Sequence, residues 1–132
     1  MRKAILLIVA LTVIAAVADP RAQQAGFKRT VIQQGDLSIP GREVVTAIAE
    51  FQGKATVGRH THPGEEVGYV LEGTILLEQE GKPAVTLSAG KTFLIPPNTV
   101  HNATNTGSSV ARVLANYIVE KGKPVATPVA AK

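Results

Sequence analysis

The sequence has no cysteine and no tryptophan, and it contains two tyrosines and three phenylalanines in 132 residues. Without cysteine the chain forms no disulfide, so its cysteine usage is compatible with an oxidising compartment but does not indicate one. Aromatic side chains that stack on bases are scarce, and the basic residues are scattered rather than clustered. We therefore expect no nucleic-acid partner.

Helical periodicity is also missing, because no window between the two ends of the chain keeps apolar residues at helical spacing for three turns. Short runs of β-branched and apolar residues recur instead, with Gly or Pro between them. A chain of 132 residues has room for one domain with one core. The pattern predicts a single all-β domain, either a sandwich or a barrel. We expect strands at residues 29–33, 44–51, 56–60, 67–71, 75–80, 84–87, 92–95, 101–105 and 111–119.

Two turns are clear in the sequence, Gly73-Thr74 and Glu80-Gly81-Lys82-Pro83. In the second, Gly accepts positive φ and Pro blocks ladder pairing. This turn predicts a hairpin that pairs residues 76–77 with Val85.

One long apolar run, residues 4–18 (AILLIVALTVIAAVA), follows the basic pair Arg2-Lys3. It ends on Ala16-Val17-Ala18, the small-x-small pattern that signal peptidase reads. A membrane anchor is the alternative, but a helix of this length reaches about 22 Å, short of a hydrocarbon core of about 30 Å. We predict an export signal, a periplasmic or secreted mature chain that starts at Asp19, and no membrane attachment after cleavage. Removal of Arg2 and Lys3 lowers the formal charge from +4 to +2, an ordinary solvated surface.

Composition divides the chain into four parts. We expect a signal peptide at residues 1–18 and a linker without apolar periodicity at residues 19–27. The globular domain is expected at residues 28–120. Residues 121–132 are rich in Pro, Ala and Lys and predict a flexible tail.

The stretch HTHPGEEVGYVLEG contains two histidines, His60 and His62, followed four positions later by a glutamate. A lone histidine there would favour a polar turn over a metal site. In extended backbone, however, residues two apart point to the same face, so the two imidazoles can share an ion. Pro63-Gly64 breaks the strand, which lets Glu66 approach the same point from the neighbouring strand. Glu65 has the opposite parity and is expected to be solvated.

The third histidine, His101, lies in a second compact segment, GKTFLIPPNTVHNATN. Three imidazoles and one carboxylate form a mixed nitrogen and oxygen set. Such a set suits Mn, Fe, Ni, Cu or Zn better than Mg or Ca. The two segments together indicate a site for one divalent transition metal.

These segments resemble the paired motifs of the cupin superfamily. The first family motif reads His-x-His, three or four residues, Glu, six residues, Gly, and the sequence matches it at His60, His62, Glu66 and Gly73. The second reads Gly, five residues, Pro-x-Gly-x-x-His, three residues, Asn, and the matching residues are Gly90, Pro96, His101 and Asn105. The resemblance covers residues 44–119.

Two positions depart from the family pattern. The Gly that usually precedes the first His by six positions is displaced, since Gly53 lies seven before His60 and Gly58 two before it. Asn98 stands where the family favours Gly, but Asn takes left-handed conformations more readily than most residues, so we expect the turn to survive. Neither change touches a ligand.

The resemblance implies a small double-stranded β-helix, the cupin or jelly-roll barrel. It also implies that the metal is held inside the barrel by His60, His62, Glu66 and His101. Similar single-domain members pair as homodimers through an N-terminal strand, for which residues 29–33 are the candidate here.

Four protein ligands leave two positions of an octahedral ion open, which is a catalytic layout rather than a closed structural one. Together with the resemblance, this predicts a metal-dependent oxygenase or related oxidoreductase that acts on a small molecule, with Glu66 as ligand and proton acceptor. One alternative is a non-redox isomerase or lyase, although five Phe and Tyr residues offer little stacking for sugars. Another is a module that binds metal or a small ligand without turnover.

Five further residues have expected positions or roles. Asn105 is expected either near the metal or in a turn. Tyr69 and Phe93 are expected in the core rather than on a substrate platform. Arg42 and Arg112 are candidates to anchor an acidic substrate, with solvated surface as the preferred interpretation.

Overall fold

The computed structural model describes residues 24–130 of the chain. This part folds into ten strands connected by turns and loops. The strands are β1 (Phe27–Asp36), β2 (Arg42–Phe51), β3 (His60–Thr61), β4 (Gly64–Glu72), β5 (Thr74–Gln79), β6 (Val85–Ser88), β7 (Thr92–Ile95), β8 (His101–Asn105), β9 (Ala111–Glu120) and β10 (Thr127–Pro128).

Two five-stranded sheets form the fold. One has the order β1-β2-β9-β4-β7 and the other the order β10-β3-β8-β5-β6. Neighbouring strands are antiparallel, and most neighbours are not consecutive along the chain, so the connections cross from one sheet to the other. The prediction of an all-β double-sheet barrel is confirmed.

The core lies between the sheets because the strands alternate buried and more exposed residues, as β9 does along its whole length. A larger cluster of buried side chains includes Phe51, Val70, Ile75, Leu77 and Val113. A smaller cluster consists of Val45, Ala47, Ala115, Tyr117 and Val119.

Most predicted strands lie where the sequence indicates, and the hairpin is confirmed by the pairing of Leu77 with Val85. The strand expected at residues 56–60 is wrong. In that segment Thr56 makes an isolated bridge to Thr104, and β3 begins only at His60. The interruption has a local cause, because Gly58 has a φ of 83°, which turns the chain out of the extended conformation.

The segment predicted as a flexible tail is the largest difference from expectation. Residues 127–128 form β10, which pairs with His60 and Thr61 of β3. The Val129 amide donates to the Arg59 carbonyl at 2.9 Å. Backbone hydrogen bonds hold this segment against the barrel, and a composition rich in Pro, Ala and Lys gives no sign of them.

At the other end, β1 begins at Phe27, the last residue of the predicted linker. Phe27 is buried and packs on Phe51, with ring centroids 4.9 Å apart. The predicted signal peptide lies outside the described residues, and export stays a prediction. Within residues 24–130, no helix is long and apolar enough to cross a membrane.

Strand β1 lies at the edge of its sheet and exposes Val31 and Ile32. An edge strand can pair with a second copy of the chain. The homodimer through residues 29–33 stays a prediction.

Candidate metal centre

The two sheets bring the four predicted ligands together inside the barrel. His60 on β3 pairs directly with His101 on β8 in one sheet, and Glu66 projects from β4 in the other sheet. His62 lies in the short segment between β3 and β4. Glu66 therefore approaches from the opposite sheet, which corrects the expectation of a neighbouring strand.

One potential ligand atom from each of the four residues lies within 4.8 Å of the others. The residues are also buried, with exposed fractions of 6% for His60, 1% for His62, 7% for Glu66 and 3% for His101. Buried polar groups of this kind need partners or an ion. The cluster is consistent with one metal ion.

Backbone carbonyls orient all three imidazoles. Nδ1 of His60 donates to the Gly58 carbonyl at 2.8 Å, and Nδ1 of His101 donates to the Thr99 carbonyl at 2.9 Å. Nδ1 of His62 donates to the Val125 carbonyl at 2.5 Å. A carbonyl only accepts, so each Nδ1 carries the proton and Nε2 of each neutral ring has a lone pair available for a metal.

The contacts around Glu66 test whether these residues fit a metal. Its Oε2 lies 3.0 Å from Nε2 of His62 and 3.1 Å from Nε2 of His101. A carboxylate oxygen and an unprotonated Nε2 both accept, so a cation, either a proton or a metal, has to lie among them. Nε2 of His62 is buried and close to Glu66, but it makes no directed hydrogen bond. A buried nitrogen without a directed hydrogen bond can coordinate a metal instead. Together with the mixed nitrogen and oxygen set, it fits a transition metal.

The local electrostatics favour the protonation states in which His60 and Glu66 can bind a metal. Burial, reinforced by the neighbouring His101 and His62, lowers the pKa of His60 to about 3, so this ring is neutral at neutral pH. Burial raises the pKa of Glu66, but hydrogen bonds and charge from His101 and His62, which need a cation at their Nε2 atoms, outweigh it and hold that pKa well below its usual range. Glu66 is therefore an anion that can neutralise part of a bound ion's charge.

The segment that follows β9 contributes a backbone carbonyl to the site. The Val125 side chain packs against the smaller core cluster, and its carbonyl holds the His62 ring. Loss of such an outer hydrogen bond weakens metal binding by roughly 10–100-fold in known sites.

We therefore expect a chain that ends at Pro124 to bind metal at least about tenfold more weakly than a control that ends at Ala130. Competition with a chromophoric chelator measures the difference, and circular dichroism of the metal-free proteins checks that both fold. Equal affinity in two folded proteins would show that the Val125 carbonyl does not matter.

Other residues identified in the sequence lie away from the cluster. Glu65 is partly exposed, in agreement with its parity. Asn105 donates to the carbonyls of Phe51, Gln52 and Ser109, so it organises a loop rather than contacting the ligands.

The two aromatic expectations have different outcomes. Phe93 packs against the larger core cluster, as expected. Tyr69 is 43% exposed on the outer face of β4, so its expected core position is wrong. The alternation that points Glu66 inward points Tyr69 outward.

The two arginine candidates have partners outside the ligand cluster. Arg112 pairs with Glu50 and Glu72, and Arg42 donates to the Pro63 carbonyl. Arg29, which the sequence reasoning missed, lines the cavity beside His60, Glu66 and His101. A signal was present, because Arg29 has the same strand parity as the apolar Phe27.

Two spaces adjoin the ligands. The interior cavity, about 20 Å³, has room for about one water molecule and is lined mainly by apolar side chains along with His60, Glu66 and His101. A larger cleft of about 790 Å³ lies between the start of β1, the residues before β3 and the C-terminal segment. Phe27, Arg29, Val57 and His60 line both spaces, so the cleft adjoins the cavity on the side of His60.

Comparison with known proteins places the chain in a family. The Cupin domain family matches residues 47–123. The transcriptional regulator PuuR of Escherichia coli is 34% identical over 93 residues, which are 70% of this chain and 48% of the regulator. The chain thus spans about half the length of that curated relative.

Solved structures of the same fold include two enzymes. An oxalate oxidase superposes with a TM-score of 0.59 at 24% identity, over 72% of this chain and 59% of the oxidase. The DMSP lyase DddQ of Ruegeria pomeroyi superposes with a TM-score of 0.59 at 21% identity, over 65% of this chain and 43% of the lyase. At these identities the likeness shows a shared fold. The family match over more than half of the chain, with both motifs folded into one buried cluster, shows that this protein belongs to the cupin family.

Proposed function

We propose that this cupin binds one divalent transition metal and acts on a small molecule as a metal-dependent oxygenase or related oxidoreductase. The observation that carries the proposal is the set of three imidazoles whose Nδ1 atoms are fixed by backbone carbonyls, with the Glu66 carboxylate among their Nε2 atoms. Four protein donors leave two positions open on an octahedral ion.

Each residue has a separate role in this proposal. When bound, the ion supplies a Lewis acid and, if it is redox-active, a route for electrons between a substrate and dioxygen. His60, His62 and His101 hold it, and Glu66 neutralises part of its charge. Glu66 is also the carboxylate of the cluster, and in this proposal it accepts a proton from a substrate hydroxyl. The interior cavity has a mainly apolar lining and room for about one water molecule, which limits the water beside the cluster.

Two alternatives have support of their own. A non-redox lyase or isomerase is supported by DddQ, a lyase built on the same fold. A module that binds a small ligand without turnover is supported by PuuR, because that regulator is more similar in sequence than either enzyme. Metal analysis of the protein from its native compartment, followed by oxygen uptake with small acids, enols and phenols, separates the three. Oxygen uptake with one of these substrates supports the oxidoreductase, turnover without uptake the lyase or isomerase, and ligand binding without turnover the module.

An open coordination site is the property on which all the small-molecule proposals depend. We expect azide or catechol to change the visible spectrum of the cobalt- or copper-loaded protein, since an exogenous ligand alters the field at the ion. Titration gives the affinity, with His62→Ala as the control that lacks a ligand. A spectrum that neither compound alters would indicate a closed site.

Metal identity is proposed from availability as well as chemistry. Candidates are Mn, Fe, Cu, Ni and Zn, all compatible with nitrogen and oxygen ligands. A chain exported unfolded acquires its metal outside the cytoplasm. There the intrinsic affinity order favours Cu and Zn over Mn and Fe unless the geometry opposes it.

Export itself predicts a shortened mature protein. Because the apolar run ends on Ala16-Val17-Ala18, we expect cleavage between Ala18 and Asp19. The intact mass of protein from the periplasm or medium measures it. Full-length chain recovered from the membrane would support the anchor instead.

A further inference from the structure

Arg29 lies at the junction of the cleft and the interior cavity, where it lines both spaces together with His60. Its Nε donates to the Tyr117 hydroxyl at 3.0 Å. The guanidinium carbon lies 5.4 Å from the Phe27 ring centroid and 5.3 Å from that of Tyr117. Two rings and a hydroxyl therefore hold the guanidinium in a defined position.

Tyr117 connects this guanidinium to the metal centre. The tyrosine is buried, and its ring centroid lies 4.6 Å from that of His62. One side chain thus separates Arg29 from a ligand residue. A small molecule that binds the ion with one end can place its other end near the arginine.

The charges around the cleft favour an anion. Four cationic residues line it against one anionic residue: Arg29, Arg59, Lys121 and Lys123 against Glu43. The other three cations are engaged in surface ion pairs, Arg59 with Glu80, Lys121 with Asp36 and Lys123 with Glu120. Arg29 differs from them because it also reaches the interior cavity that contains the ligands.

We propose that Arg29 binds a carboxylate, and that the ligands of this protein are small organic acids that span from the metal centre to this arginine. The planar guanidinium matches a carboxylate in geometry and charge. Arg29 has a further interaction beyond Phe27 and Tyr117, so an incoming carboxylate would have to join or displace it. Because the interior cavity has room for about one water molecule, the body of the acid would lie in the larger cleft. The inference rests on the open metal site proposed above.

The test uses pairs of probes that differ in one charge. Malonate, succinate and glutarate are titrated into the cobalt-loaded protein, each beside its half-amide, and the visible spectrum gives the affinity. We expect at least one diacid to bind about tenfold more tightly than its half-amide, since a charge-assisted contact is lost in the amide. Arg29→Gln should weaken that diacid about tenfold and leave the half-amide within about twofold.

Arg112→Gln serves as the matched control, because Arg112 is exposed and already paired with Glu50 and Glu72. It should bind both probes as the unaltered protein does. Arg29→Lys keeps the charge without the planar fork, and its diacid affinity should lie between those of the unaltered protein and Arg29→Gln. Cobalt content and azide affinity confirm that each variant retains its metal centre.

Three results overturn the inference. Equal weakening of diacid and half-amide would assign Arg29 a purely structural role beside Tyr117. Azide binding without any dependence of the diacids on Arg29 would remove the inference and leave the open metal site standing. If neither azide nor any acid alters the cobalt spectrum, the open site fails, and the inference fails with it.

Discussion

We expect His62→Ala to abolish most of the metal binding and Glu65→Ala to leave it unchanged. His62 contributes a buried Nε2 that makes no directed hydrogen bond and lies 3.0 Å from Glu66 Oε2. Glu65 is adjacent in sequence but outside the cluster. Loss of a direct ligand should weaken binding more than the roughly 10–100-fold typical of losing an outer partner.

The comparison is made by metal analysis after equal dialysis against a chelator. We expect one metal per chain in the unaltered protein and in Glu65→Ala, and a small fraction of that in His62→Ala. Circular dichroism of the metal-free forms controls for folding. Full metal in both variants would refute the assignment of the ligands.

We expect Gly64→Ala to destabilise the barrel and to disturb the metal centre as well. A Cβ at this position would lie 1.9 Å from the Ile118 carbonyl oxygen and 2.7 Å from the Val119 Cα. Both contacts are with backbone atoms of β9, the strand that pairs with β4. Movement of a side chain therefore cannot relieve them. Overpacking of this kind costs about 1–3 kcal/mol or more.

The expected decrease in melting temperature is therefore on the order of 10 °C for a domain of this size. Because Glu66 lies two residues further along β4, displacement of the strand should also weaken metal binding. Gly35→Ala is the matched control, since a Cβ there meets no atom within 4 Å. A melting temperature for Gly64→Ala equal to that of Gly35→Ala would contradict the close approach of β4 and β9.

Strand alternation explains why the ligands could be predicted from the sequence. The spacing of His60 and His62 and the parity that separates Glu66 from Glu65 depend only on local extended geometry. Both features hold in the structure, where Glu66 is buried and Glu65 partly exposed. Which sheet carries Glu66 depends on how the chain crosses between sheets after Pro63, and the local pattern does not contain that information.

The features that could not be predicted from the sequence depend on backbone pairing or on a partner far away along the chain. Strand β10 has two residues, and backbone bonds such as that from Val129 to the Arg59 carbonyl hold its segment to the barrel. Such bonds leave no hydrophobic pattern. The role of Val125 is likewise carried by a carbonyl that every residue possesses. The parity of Arg29 with Phe27 indicates an inward side chain, but its contact with Tyr117, 88 positions away, depends on how the strands pair.

The most direct test of the account is a crystal structure of the metal-loaded protein with anomalous scattering recorded at the absorption edge of the bound metal. We predict one anomalous peak per chain inside the barrel, about 2.0–2.2 Å from Nε2 of His60, His62 and His101 and from a carboxylate oxygen of Glu66. A peak elsewhere, or a peak that lacks any one of these four ligands, would contradict the central claim.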